Sequence, residues 1–199
     1  MSDRDLDRLA NSFISRGVAL ESDFDSAADV ERAAFSVITL YANWEEFSRR
    51  LVFASASARP FAAGGTRVVH RAPGVRNRAD VESKLRQMKH TRPQFRLVVH
   101  LGAPTQMVKT CKFLQLDNEQ VISPAILSQN SPADDLRLMR NFLAHQNPDT
   151  ASQVSLSPPG QRIGTASTIT WLHQKQAGGR SRFGVWVSDL SDVARACAN

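Results

Sequence analysis

The feature that most constrains this chain is an apolar stripe that holds its phase over many helical turns. From about Ser26 to Ala58, Val30, Val37, Trp44 and Leu51 recur every seven residues. Ala34 and Tyr41 fill the position four further on, and Ile38 and Phe47 widen the stripe. Steps of seven and four keep side chains on one face of a helix. Glu31, Arg32, Glu45, Arg49 and Arg50 fall mostly off that face. A helix of this length runs the length of a bundle, so the stripe predicts a mostly α fold.

Shorter patterns fill in the rest. Leu6, Leu9, Phe13 and Ile14 share a face and predict a helix over 3–18 that ends at Gly17. A second well-marked helix is predicted over 130–145, with Ser131 as N-cap, Pro132 in the first turn, and Asp134 and Asp135 at the positive end. Asn147-Pro148 stops it. Residues 59–77, with Pro60, Gly64, Gly65, Pro73 and Gly74, read as a loop. Residues 79–90 suit a short basic helix. Residues 95–101 fit either a strand or a buried helical turn, and 105–116 lean towards helix. Thr168–Lys175 and Arg182–Val187 alternate around Ala177-Gly178-Gly179 and predict a small β-hairpin appendage, with Trp171 and Trp186 packing it onto the bundle. A last helix over 189–198 closes the chain. The expected domain plan is a bundle over 1–150 with a basic insertion at about 59–105. The hairpin and helix of 151–199 pack on that same domain.

Charge points to a class of partner. The chain of 199 residues carries +6, and its excess is concentrated. Between Arg67 and Arg96 lie Arg67, Arg71, Arg76, Arg78, Lys84, Arg86, Lys89, Arg92 and Arg96, opposed only by Asp80 and Glu82, for a net +7. Such a field favours polyanions, of which RNA is one, or serves as a solvated face. Other classes are disfavoured. The charged start, Met1-Ser-Asp-Arg-Asp, does not resemble a signal peptide, and Ala33–Trp44 is too short to span a bilayer. Cys111 and Cys197 have neither metal-ligand spacing nor the density of a disulfide framework, which suits a reducing cytoplasm. His70, His90, His100 and His173 stand at no metal-ligand spacing to one another or to the cysteines, so no metal or other cofactor is expected.

The candidate chemistry lies in Arg140-Asn-Phe-Leu-Ala-His145. Asn141 and His145 are four apart and share a helix face with the preceding Arg137. Arg140 and His145 are five apart, about 140° around the axis, so the arginine must bend or the helix must loosen. Arginine offers a fixed cationic fork for a phosphate, and imidazole moves protons near neutral pH. An imidazole, a guanidinium and an amide are what RNA phosphodiester cleavage requires of protein groups. Taken on spacing, the same residues also suit a histidine capping carbonyls and a solvated arginine.

The segment resembles the Arg-x4-His motif of the HEPN superfamily, and Tyr41-Ala-Asn-Trp-Glu45-Glu-Phe47 is similar to the early helix of small bacterial HEPN proteins. The two lie in the expected order, whereas 59–130 and the tail match no motif. The resemblance implies a HEPN-like helical bundle that dimerises and brings two motifs to one cleft. It also implies metal-independent endoribonuclease activity, often as a toxin or phage-defence effector met by an antitoxin or another defence-system protein. Arg140 would then steady the phosphate, Asn141 would be its polar partner, and His145 would be catalytic. Glu45 and Arg137 are candidate supporting residues, and Arg67, Arg71, Arg76, Arg78, Lys84, Arg86 and Lys89 would hold RNA. The alternative is a non-catalytic nucleic-acid or nucleotide-binding module that works with a partner protein.

Overall fold

A computed structural model describes residues 6–63, 66–88, 101–128, 132–145, 147–156 and 165–198. The protein is mostly helical. Its elements run α1 (Leu6–Asp25), α2 (Val30–Ala56), β1 (Ser57–Ala63), β2 (Thr66–Arg71), α3 (Arg78–Met88) and α4 (Pro104–Leu114). They continue with α5 (Glu119–Ile126), α6 (Ala133–His145), α7 (Pro148–Leu156), α8 (Thr165–His173) and α9 (Arg182–Ala198). Among the described residues, no helix is long and apolar enough to cross a membrane.

The contacts gather into two compact units. One comprises 1–12, 45–129 and 193–199; the other comprises 13–44 and 130–192.

In the first unit, Phe47 and Leu51 of the apolar stripe are fully buried on α2, with Val52 and Ala56 buried beside them; in the second, Val30 at the start of the stripe is exposed. The chain then turns directly into an antiparallel β1–β2 ladder, in which Ala63 pairs with Thr66 and Ser57 with Arg71. This replaces the loop expected over 59–77 as far as Arg71, and 72–77 remain a loop. The pairing leaves just Gly64 and Gly65 between the strands, the composition of a two-residue hairpin turn. The Ala72 N–H donates to the Ala56 carbonyl at 3.1 Å and ties the end of the hairpin to the end of α2. Asn77 caps α3 by accepting from the Asp80 N–H at 3.1 Å, and Val81 and Leu85 are buried. Asn118 donates to the Ser55 hydroxyl at 3.0 Å, tying the start of α5 to α2. The expectation for 95–101 lies almost wholly outside the described residues.

In the second unit, Phe13 of α1 meets Trp44 of α2 edge-on at 5.7 Å. Gly17 does not end α1: a Cβ there would stand 3.1 Å from Val187 of α9, so the glycine marks a close helix approach. Phe24 stacks between His173 of α8 and Phe183 of α9, at 4.2 and 4.3 Å.

The β-hairpin expected near the C-terminus is absent, and two helices stand in its place. Phe183, Trp186, Val187 and Leu190 are buried at helical spacing, and the Ser181 hydroxyl caps α9 by accepting from the Gly184 N–H at 3.1 Å. The turn expected there persists: Gly178 and Gly179 have φ of 95° and 80°, and Lys175 bridges Ser181. Trp171 and Trp186 meet at 6.0 Å across the two helices rather than across strands.

Candidate functional site

The second unit holds the motif on α6. The Pro132 carbonyl accepts from the Leu136 N–H at 2.8 Å and starts the helix. Ala133, Leu136, Met139, Phe142 and Leu143 then bury one side. The opposite side carries Arg137 and Asn141, both half-buried, and His145, which is exposed. The helix ends at His145, as its sequence predicted. Asn147 and Pro148 do more than stop it: the Asn147 side chain accepts from the Thr150 N–H at 2.9 Å and caps α7, with Pro148 at its first position.

Arg140 is the most constrained of the motif residues. Its guanidinium carbon lies 5.8 Å from the centre of the Tyr41 ring, on α2. Its Nη1 donates to the Asn141 side-chain oxygen at 2.9 Å. Both anchors are neutral: an aromatic face attracts the cation through its quadrupole, and an amide oxygen accepts one N–H without cancelling the charge. Arg140 is thus half-buried and held by two neutral groups. Tyr41, Trp44 and Phe47 are buried as core residues, as their helical spacing predicted. That Tyr41 also seats a guanidinium was not legible in the sequence.

The supporting residues are placed less closely. Arg137 Nε donates to Asp134 at 3.4 Å along the helix surface, a weak exposed pair. Glu45 is half-buried on α2, four residues beyond Tyr41.

The basic segment lies in the first unit. Arg71, Arg76, Arg78 and Arg86 are exposed and Lys84 is half-buried. Arg67 falls on β2, with its side chain outside the described residues, as is the whole of Lys89. The backbone N–H of Arg71 donates to Asp117 at 3.3 Å, and that of Arg76 to Asp80 at 2.9 Å. Both residues are exposed, and these contacts use only their main chain.

The same unit contains a cleft of about 120 Å³ lined by Glu46, Arg49, Arg50, Phe53, Ala54, Ser57 and Arg78. Glu46 holds Arg49 through one carboxylate oxygen and Arg50 through the other, the latter at 2.6 Å. Partial burial pushes the Glu46 carboxyl up, but hydrogen bonds and charge from Arg49 and Arg50 outweigh it and hold the group below its ordinary value. Arg78 arrives from α3, donates Nε to Glu82 at 2.9 Å and lies 5.3 Å from the centre of the Phe53 ring. The sequence placed Arg78 in a basic segment but gave no sign that it meets the end of α2.

The cysteines offer little nucleophilic chemistry. Cys111 and Cys197 are free, buried thiols pushed up to about 12 chiefly by burial, so at neutral pH both remain protonated. Among the described residues, no group of three His, Cys, Asp or Glu side chains is placed to hold a metal ion. No protein-family model, curated protein or solved structure matches the chain.

Proposed function

We propose that this protein is a metal-independent endoribonuclease of HEPN type, working as a homodimer on single-stranded RNA. The observation that carries the reading is the pairing of a fixed cation with an accessible imidazole on one helix. Arg140 is held by Tyr41 and Asn141, and His145 is exposed in the last turn of α6. The 2′-hydroxyl attacks the adjacent phosphorus, and the P–O bond to the 5′-oxygen breaks. The products are a 2′,3′-cyclic phosphate and a 5′-hydroxyl. His145 removes the proton from the nucleophile or delivers one to the leaving oxygen, and Arg140 stabilises the charge that builds on the phosphorane.

An ideal helix sets Arg140 and His145 about 140° apart. Pairing two copies of α6 supplies two imidazoles, one for each proton transfer. Arg71, Arg76, Arg78, Lys84 and Arg86 draw in the RNA backbone, and Arg137 orients groups at the motif. Control by an antitoxin or another defence-system protein belongs to the same reading.

The test is RNA cleavage in excess EDTA by wild type and His145→Ala, with the product ends identified. Wild type is expected to leave cyclic phosphate ends, and His145→Ala to lose at least about a hundredfold in rate. Equal rates would remove His145 from the chemistry. RNA binding without product in either protein would favour the binding-module alternative.

A further inference from the structure

The cleft at the junction of α2, β1 and α3 is independent of the Arg-x4-His motif, and its chemistry is specific. Three guanidiniums, from Arg49, Arg50 and Arg78, face one carboxylate, from Glu46, leaving +2; the Glu82 partner of Arg78 still leaves +1. Arg49 spends Nε and one terminal nitrogen on Glu46, and Arg78 spends Nε on Glu82. The remaining terminal N–H groups of these two arginines are the donors suited to phosphate oxygens. Their side chains are 53% and 67% exposed, so a ligand reaches them without rearranging a core. Phe53 and Ala54 add an apolar wall, and a planar guanidinium resting near an aromatic ring is a surface on which a nucleobase can stack.

We propose that this cleft binds a nucleotide unit, with its phosphate between Arg49 and Arg78 and its base along the apolar wall of Phe53 and Ala54. The unit is either a free nucleotide or one residue of an RNA strand, since both present the same phosphate and base. Glu46 holds Arg49 and Arg50 through its two oxygens and offsets part of their charge. The inference does not rest on the nuclease reading.

The test is titration calorimetry with AMP, adenosine and inorganic phosphate on wild type and on Arg49→Gln/Arg78→Gln. A short oligouridylate is titrated into His145→Ala protein, with and without the two glutamines, so that cleavage does not consume it. AMP or the oligonucleotide is expected to bind, and the two glutamines to weaken it at least about tenfold. Whichever of the two binds identifies the source. Arg49→Lys/Arg78→Lys is expected to recover only part of the loss, because lysine keeps the charge but not the fork. The substituted side chains are exposed, so the thermal midpoint is expected to hold within a few degrees. Binding that survives the glutamines, adenosine binding as tightly as AMP, or no binding of either probe would overturn the proposal. Loss of cleavage in His145→Ala leaves it untouched, so the two readings fail separately.

Discussion

Two arginine sites in this molecule are built on opposite electrostatic plans. On α6, Arg140 is held by neutral groups, the Tyr41 ring and the Asn141 amide oxygen. At the end of α2, Arg49 and Arg50 are held by the Glu46 carboxylate, and Arg78 is tethered by Glu82. A neutral anchor fixes the position of a guanidinium without cancelling its charge. A carboxylate anchor fixes it more firmly and takes back much of its field. The first plan suits a cation that must meet charge developing on a reacting phosphate. The second suits reversible binding, in which a site too positive would hold its ligand, and every competing anion, indiscriminately.

The sharpest way to break this contrast is to give Arg140 the other kind of anchor. Asn141→Asp is close to isosteric and places a carboxylate where the amide oxygen now accepts at 2.9 Å. If Arg140 works through its uncancelled charge, cleavage is expected to fall about ten- to a hundredfold while the fold persists. Nucleotide binding at the Arg49–Arg78 cleft is expected to be unchanged. Rates measured on the same RNA in EDTA decide the matter. An Asn141→Asp protein that cuts at the wild-type rate would show that neutral anchoring has no catalytic consequence.

Both plans differ also in how far the sequence discloses them. The α6 site is written locally: Arg140, Asn141 and His145 lie within six residues, on a helix marked by Pro132, Asp134 and Asp135 at its start and by Asn147 just beyond its end. Its Tyr41 seat is not local, because a ring–guanidinium contact between α2 and α6 exists only after packing. The cleft is hidden for the same reason. Glu46, Arg49 and Arg50 look like ordinary i,i+3 and i,i+4 surface pairs, and Arg78 lies far along the chain.

The fold is legible on the same terms. Val30 to Leu51 repeats over enough turns to leave one interpretation, whereas Arg182–Val187 fits alternation and helix equally well. Extending that window to Leu190, Val193, Ala194 and Cys197, all buried, identifies the helix. Thr168 and Ile169 favour strands by propensity, yet both are buried on α8, where packing overrides it. The prolines and glycines of 59–77 suit a loop, yet the runs on either side of Gly64-Gly65 pair as antiparallel strands.

The reverse exchange tests the other side of the comparison. Glu46→Gln removes the charge at nearly the same shape and leaves one amide oxygen to accept from Arg49 or Arg50. AMP binding is then expected to tighten about threefold at low salt, with the gain fading as ionic strength rises. Weaker binding would mean instead that the carboxylate matters for orienting the arginines more than for moderating their charge.

The smallest expected effect is on stability, and it has a definite sign. Glu46 is held below the ordinary value of 4.5, so the folded state releases its proton more readily than the unfolded state does. Its contribution is therefore fully present above the unfolded value, and it is lost as pH falls through the lower folded value. Because the pairs are largely exposed, that contribution is under about 1 kcal/mol. Urea unfolding at neutral pH is expected to place Glu46→Gln slightly below wild type, with the gap closing as pH drops through and below 4.5. A gap that persists undiminished in acid would show that the variant loses packing rather than an ion pair. Glu46 would then be a structural part of α2, and the electrostatic contrast would rest on Arg140 alone.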